Sequence, residues 1–235
     1  NGTVGMNKIF KRVLAACVIC LPIACGSNLT DGQYVERAQN HLDQGELRAA
    51  SIELKNALQQ NRDNVEARTL LGQVQLDLDN ASEAEKELRR ASELGVADGA
   101  VLPLLARALL AQGRTEELEA LAVDNLTKAQ TAQILAAQGL GKLAQADMEA
   151  AAERLDRAVS LDPDSAYVRV AAARLLAARR EFALARQELD AVLQENPADA
   201  LAWALLGTLE TMEGNLPQAE AAYTQAIESR EASSS

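Results

Sequence analysis

Aromatic residues are scarce: Phe, Trp and Tyr make up 3% of the 235 residues, with one Trp, at position 203. The single histidine, His41, excludes most imidazole chemistry, and all three cysteines lie at positions 17, 20 and 25. Beyond Cys25 there is therefore no disulfide and no thiol chemistry, and one histidine without a downstream cysteine makes no ordinary zinc site. A Ser-His-Asp triad would have to use His41, and no nucleophile elbow accompanies it. No glycine-rich phosphate loop occurs. The "DPDS" at 162–165 is calcium-like in composition but lacks the rest of a calcium loop and its terminal Glu. Positive charge is short too. Lys and Arg number 23 against 34 Asp and Glu, for a net charge of −11, which argues against a counterion-displacing nucleic-acid surface. These gaps predict a non-enzyme with no cofactor, no metal and no nucleic-acid ligand.

What is present is Ala, Leu, Glu, Gln and Arg, a mixture that favours helix and disfavours strand. The fold class expected is all-α. Residues 1–24 stand apart. Met6 opens a basic stretch (Lys8, Lys11, Arg12), and an apolar run of 12 residues from Val13 to Ala24 follows. That is the layout of a secretory signal, and the run is shorter than the roughly 20 residues that span a bilayer. Residues 1–5 precede this start and read as upstream sequence. "LPIAC" followed by "GSN" resembles a bacterial lipoprotein cleavage box with Cys25 as the lipidated residue and Ala24 before it. Pro22 stands where such boxes usually hold Leu. "LAAC", ending at Cys17, matches better locally but leaves almost no apolar run. A plain cleaved signal with an incidental cysteine is the other reading. Gly26, in place of Asp, leans the lipoprotein reading towards the outer membrane, with residues 25–30 as a tether.

The remainder repeats. Ala50 and Ala84 are 34 residues apart, and so are Ala151, Ala185 and Ala219 in succession. Ala57, Ala91, Ala158, Val192 and Ala226 keep the same period, as do Leu54, Leu88, Leu155, Leu189 and Tyr223. Pro163 and Pro197 close helices one period apart. A 34-residue period with small residues at fixed offsets is the tetratricopeptide pattern. Six helix-turn-helix units fit, at 31–64, 65–98, 99–131, 132–165, 166–199 and 200–233, making a right-handed α-solenoid over 31–233. Leu71-Gly72 and Leu206-Gly207 match the family's Leu-Gly pair. Trp203 is read as a packing residue early in the first helix of unit six, and His41 as one in unit one. Gly214 belongs in the tight turn, where positive φ is easy for glycine, and Pro217 at the start of the next helix. Tyr223 is expected between units. Unit three is the weak member, with Pro103 in its first helix and Leu118 where Ala belongs, so an irregularity is expected between units three and four.

In this repeat family, positions 2, 5, 9 and 12 of each first helix face the concave groove. Carried over, position 9 gives Gln39, Gln73, Arg107, Leu140, Arg174 and Thr208, with Leu110 and Tyr167 nearby. The Lys and Asn of the family's carboxylate clamp are absent. The mixture of Arg107 and Arg174 with Tyr167, Leu110 and Leu140 suits an extended or helical protein segment with some acidic character. The competing reading is that these arginines pair with acids on adjacent helices.

"GELRAASIELKNALQQNRDNVEARTLLGQVQLDLDNASEAEKELRRASELG" (45–95) and "VLPLLARALLAQGR" (101–114), with the lipoprotein-like start, resemble the exosortase-associated, PEP-CTERM-system tetratricopeptide lipoproteins. The resemblance implies a periplasm-facing scaffold, anchored to the membrane by its N-terminal lipid, for exopolysaccharide export, biofilm formation or protein sorting, with a protein partner in the cell envelope. A pilotin-like outer-membrane assembly factor and a free periplasmic adaptor are the alternatives. Members of that family are longer, so either the array continues or Leu209, Ala222 and their neighbours meet another subunit.

Overall fold

The computed structural model describes residues 29–234. Cys25, the leader and most of the tether lie outside them. The described residues form twelve helices and no strand. They pair in order: α1 (Asp31–Asp43) with α2 (Leu47–Gln60), α3 (Val65–Asp77) with α4 (Ala81–Glu93), and α5 (Asp98–Ala111) with α6 (Thr115–Glu119). Then come α7 (Lys128–Ala144) with α8 (Met148–Leu161), α9 (Ala166–Ala178) with α10 (Phe182–Glu195), and α11 (Ala200–Glu213) with α12 (Leu216–Ser234). The result is an all-helical solenoid.

Polar side chains start several of these helices. Thr30 and Thr127 form capping boxes with Gln33 and Gln130, and Asn64, Asp147 and Asp199 each accept a backbone N–H three residues on. The turn inside every pair has one recipe. A residue at positive φ stops the first helix: Gly45, Asp79, Gly113, Ala146, Arg180 and Gly214 in turn. The next N–H then reaches back five residues to a helix carbonyl, from Glu46 to His41 (2.8 Å) through Asn215 to Glu210 (2.8 Å), which satisfies an orphan acceptor. Side chains reinforce the same step where they can. His41 Nδ1 meets Glu46 Oε2 at 2.5 Å, and Asn80 and Asn215 donate to Gln75 and Glu210.

The core is a row of leucines set against small residues. Leu54, Leu88, Leu155 and Leu189 of the second helices are at most 1% exposed. Leu88 and Leu155 lie over Gly72 and Gly139, where an added Cβ would stand 2.6 and 2.7 Å from a leucine Cγ. Leu54 and Leu189 share clusters with Ala38 and Ala173 instead. The repeated alanines Ala50, Ala57, Ala84, Ala91, Ala151, Ala158, Ala185, Ala219 and Ala226 are buried as well, because a longer side chain there would push the paired helices apart. Tyr223 takes the leucine's place in the last pair. Its ring lies on Gly207 of its own unit rather than between units, and its hydroxyl is 3.2 Å from Thr208 Oγ1.

Trp203 answers to a second periodic role. Its Nε1 donates to the Pro197 carbonyl at 2.8 Å, six residues back across the turn between units. Arg68 Nε donates to the Arg62 carbonyl, and Arg169 Nε to that of Pro163, at the same separation. Three different side chains thus tie the loop to the following first helix.

Unit three breaks the pattern. Pro103 is buried inside α5, which continues through it, six residues into the helix, where few backbone bonds are lost. The second helix, α6, spans only 5 residues, and 120–127 form turns and irregular chain. Leu118 is fully buried beneath Gly141, and the buried Gln138 amide donates to its carbonyl at 3.0 Å. Helix α7 starts at Lys128, four residues ahead of the boundary read from the repeat, and covers the gap. Leu209 and Ala222, read as meeting another subunit unless the array continues, are both buried, Leu209 in one cluster with Val170, Ala173 and Leu189 of unit five.

Candidate functional site

Stacking places the first helices α3, α5, α7, α9 and α11 on the inner side of the arc. The arc curls far enough for its ends to approach: Arg230 of α12 meets Asp79, in the turn after α3, at 2.7 Å. Between them runs one groove in two adjoining compartments. The outer, of about 640 Å³, takes Leu47 and Arg48 of α2, Asp77 to Asp79, Asp199 and the end of α12. The inner, of about 500 Å³, is walled by Leu76, Leu110, Leu140, Leu143, Val170 and Leu201. Arg107 and Tyr167 border both, and Arg174 borders the inner one.

The polar groups here are unequal. Arg107 extends from α5 to Asp77 of α3 at 3.3 Å, and its guanidinium sits 5.5 Å from the centre of the Tyr167 ring, a cation–π distance. Burial drives the Asp77 carboxyl above its ordinary range; Arg107 opposes that and the Asp79 charge adds to it. The Tyr167 hydroxyl oxygen is buried without a hydrogen-bond partner. Its pKa is pushed up to about 12 by that burial, against the pull of Arg107 and Arg174. Arg174 is exposed and has no ion pair or hydrogen bond among the described residues.

Of the residues expected in the groove, five come together: Arg107, Leu110, Leu140, Tyr167 and Arg174. Three do not line it. Gln39 donates to Glu66 of the next unit at 3.0 Å, Thr208 is engaged with Ala204 and Tyr223, and Gln73 is simply exposed. The expected pairing of the arginines with acids on adjacent helices holds for Arg107 and not for Arg174. Leu76, Leu143, Val170 and Leu201 were overlooked, although positions 2, 5 and 12 of the first helices point to them. Asp79, Ser229 and Arg230 carry no repeat signal, since the curl of the whole arc brings them in.

Away from the groove, charged networks tie neighbouring units. Glu85 is buried, which raises its pKa, but bonds from Arg89, Gln112 and Arg114 outweigh that and hold it below the usual range. Glu210 is held low chiefly by Asn215, against its own desolvation and with help from Arg186. Among the described residues, no group of three or more His, Cys, Asp or Glu could hold a metal ion, and no helix is long and apolar enough to cross a membrane.

Paired helices stacked into an arc with a lined inner groove define an α-solenoid of helical repeats. A family model described as tetratricopeptide repeat matches residues 41–104 and 142–209, more than half of the chain, and the chain belongs to that family. The matches leave out 105–141, where α6 is cut short. Among solved structures, one titled for the functional characterization of Pseudomonas aeruginosa PilF superposes with a TM-score of 0.53 at 23% identity, covering 82% of this chain and 88% of that one. A monomeric mutant of IFIT1, bound to Gppp-AAAA, gives 0.65 at 17% identity, covering 84% of this chain and 50% of that one. This chain thus spans about half of the latter's length. At these identities the likeness is one of fold. No curated protein matches.

Proposed function

We propose that this chain is a non-catalytic scaffold that holds a protein segment in its concave groove. The observation that carries this reading is the groove itself: aliphatic walls from five successive first helices, punctuated by Arg107 on Tyr167 and by Arg174. Tetratricopeptide arrays are interaction devices, and a stack of repeats offers just such an extended concave surface. The lipoprotein-like Cys25 and the likeness of residues 45–95 and 101–114 to exosortase-associated lipoproteins support an anchored position in a Gram-negative envelope, serving polysaccharide export or protein sorting.

Two measurements test this. Envelope extract from a host with such a system is passed over the immobilised chain, beside Arg107→Ala/Arg174→Ala. A specific partner retained by the wild type and lost by the double variant, at equal helicity, is expected; equal retention would sink the groove. Membrane fractionation and intact mass, beside Cys25→Ser, test the anchor. A soluble product without acyl mass would remove it.

A further inference from the structure

The kind of segment that fits follows from what the groove walls offer, given the interaction role proposed above. Apart from Asp79, in the turn after α3, the walls of the inner compartment are helices, and helices spend their backbone N–H and C=O groups on their own turns. What reaches the groove is mostly aliphatic, Leu76, Leu110, Leu140, Leu143, Val170 and Leu201, beside the Tyr167 ring and the side chains of Asp79, Arg107 and Arg174. An extended peptide laid there would have to leave its amides unpaired and desolvated. A helix arrives with its amides already satisfied and needs only an apolar stripe.

Charge completes the description. Asp77 neutralises Arg107 at 3.3 Å and Asp79 neutralises Arg230 at 2.7 Å. In the outer compartment Arg48 is matched in number by Asp199. Among the charged side chains of the inner compartment, Asp79, Arg107 and Arg174, only Arg174 lacks an opposite charge, in a chain whose net charge is −11. An uncompensated guanidinium beside an aliphatic surface favours a carboxylate that docks along with the apolar stripe. We infer that the groove receives an amphipathic helix of a protein partner, with an Asp or Glu of that helix read by Arg174. Arg107 is a positioning residue, held by Asp77 and the Tyr167 ring and so already spent.

Two displayed peptide libraries, screened on the full chain, test this. One is built on a helix-forming scaffold and the other interrupts the same composition with prolines. Enrichment is expected from the helical library, as sequences with aliphatic residues at i, i+3 or i+4, and i+7 and one Asp or Glu at a fixed offset. In fluorescence anisotropy, a selected peptide should lose roughly tenfold in affinity for Arg174→Gln and change little for Arg48→Gln. Selection on Arg174→Glu should replace the acid by Lys or Arg. Helical peptides that bind wild type and Arg174→Gln alike would overturn the role of Arg174. Proline-interrupted peptides that win, and are lost with Arg107→Ala/Arg174→Ala, would keep the groove as a binding site and overturn the helical occupant. Enrichment from neither library would overturn this inference and the groove reading together.

Discussion

The Arg230 guanidinium meets the Asp79 carboxylate at 2.7 Å although 151 residues separate them in the chain. Their side chains are 55% and 68% exposed, so the pair is a solvent-screened ion bridge, worth about 0–1 kcal/mol. It marks how closely the arc ends approach without holding them there. Arg230→Ala should therefore leave the thermal midpoint within about 4 °C of wild type in low salt, measured by circular dichroism.

Position by position, the turns predict where stability can be gained. Gly45, Gly113 and Gly214 occupy a positive-φ site that Asp79, Ala146 and Arg180 occupy in the other three pairs. A Cβ in that region carries strain of about 1 kcal/mol, partly offset by the extra chain entropy that glycine loses on folding. Ala146→Gly and Arg180→Gly should each stabilise by about 0.5 kcal/mol in urea denaturation, and Gly113→Ala should destabilise by about the same 0.5 kcal/mol, since a Cβ there meets open space. Asp79→Gly should gain less, since aspartate tolerates this conformation and the bridge to Arg230 is lost.

A covariant pair sits in the last unit. A Cβ at Gly207 would stand 2.8 Å from the Tyr223 ring, and a ring cannot yield as a leucine tip can. Gly207→Ala should cost about 1–3 kcal/mol. Adding Tyr223→Leu should recover most of that, because the double variant carries the Ala and Leu that stand at the same repeat positions in Ala38 and Leu54, and in Ala173 and Leu189, each two sharing one buried cluster. A double-mutant cycle without coupling would contradict this packing.

Acid should loosen the array. Glu85 and Glu210 have folded pKa values below their ordinary 4.5, so both bind protons less readily folded than unfolded. Their contribution is complete above that range and is withdrawn as pH falls through the folded values. Asp77 acts oppositely, since its raised pKa favours the fold when protonated. Asp31, held low by Asn61 and Asn64, acts like Glu85 and Glu210; with three depressed carboxylates against one raised, the midpoint should fall below about pH 4.5, and Glu85→Gln should flatten the decline. A midpoint that holds steady down to pH 3 would contradict the assignment.

How much of this was legible beforehand depends on the range of the cause. The Ala and Leu columns and the glycines at 72, 207 and 214 are set by contacts inside one helix pair, and such contacts recur from pair to pair, so the period reveals them. The period marks Trp203 as a packing residue and says nothing of its tie to the Pro197 carbonyl, because Arg68 and Arg169 do the same work with a different chemistry. The five groove residues that came together lie where the repeat's inner face predicts. Gln39 and Thr208 lie at equivalent positions in the end units, where a neighbouring side chain takes up their polar groups. Asp79 and Arg230 come from opposite ends of the arc, and no local pattern encodes its curl.

The shortened α6 has a mechanical consequence. A solenoid transmits bending through both rows of its helices, and at unit three the outer row is reduced to one short turn-like segment. Arg107 lies on one side of that interruption and Tyr167, Leu140 and Arg174 on the other. The core stays continuous there, since Leu105, Leu109 and Leu118 share one buried cluster with Ile134 and Ala137 of α7, so at unit three the groove is carried by the inner row of helices with almost no outer row behind it.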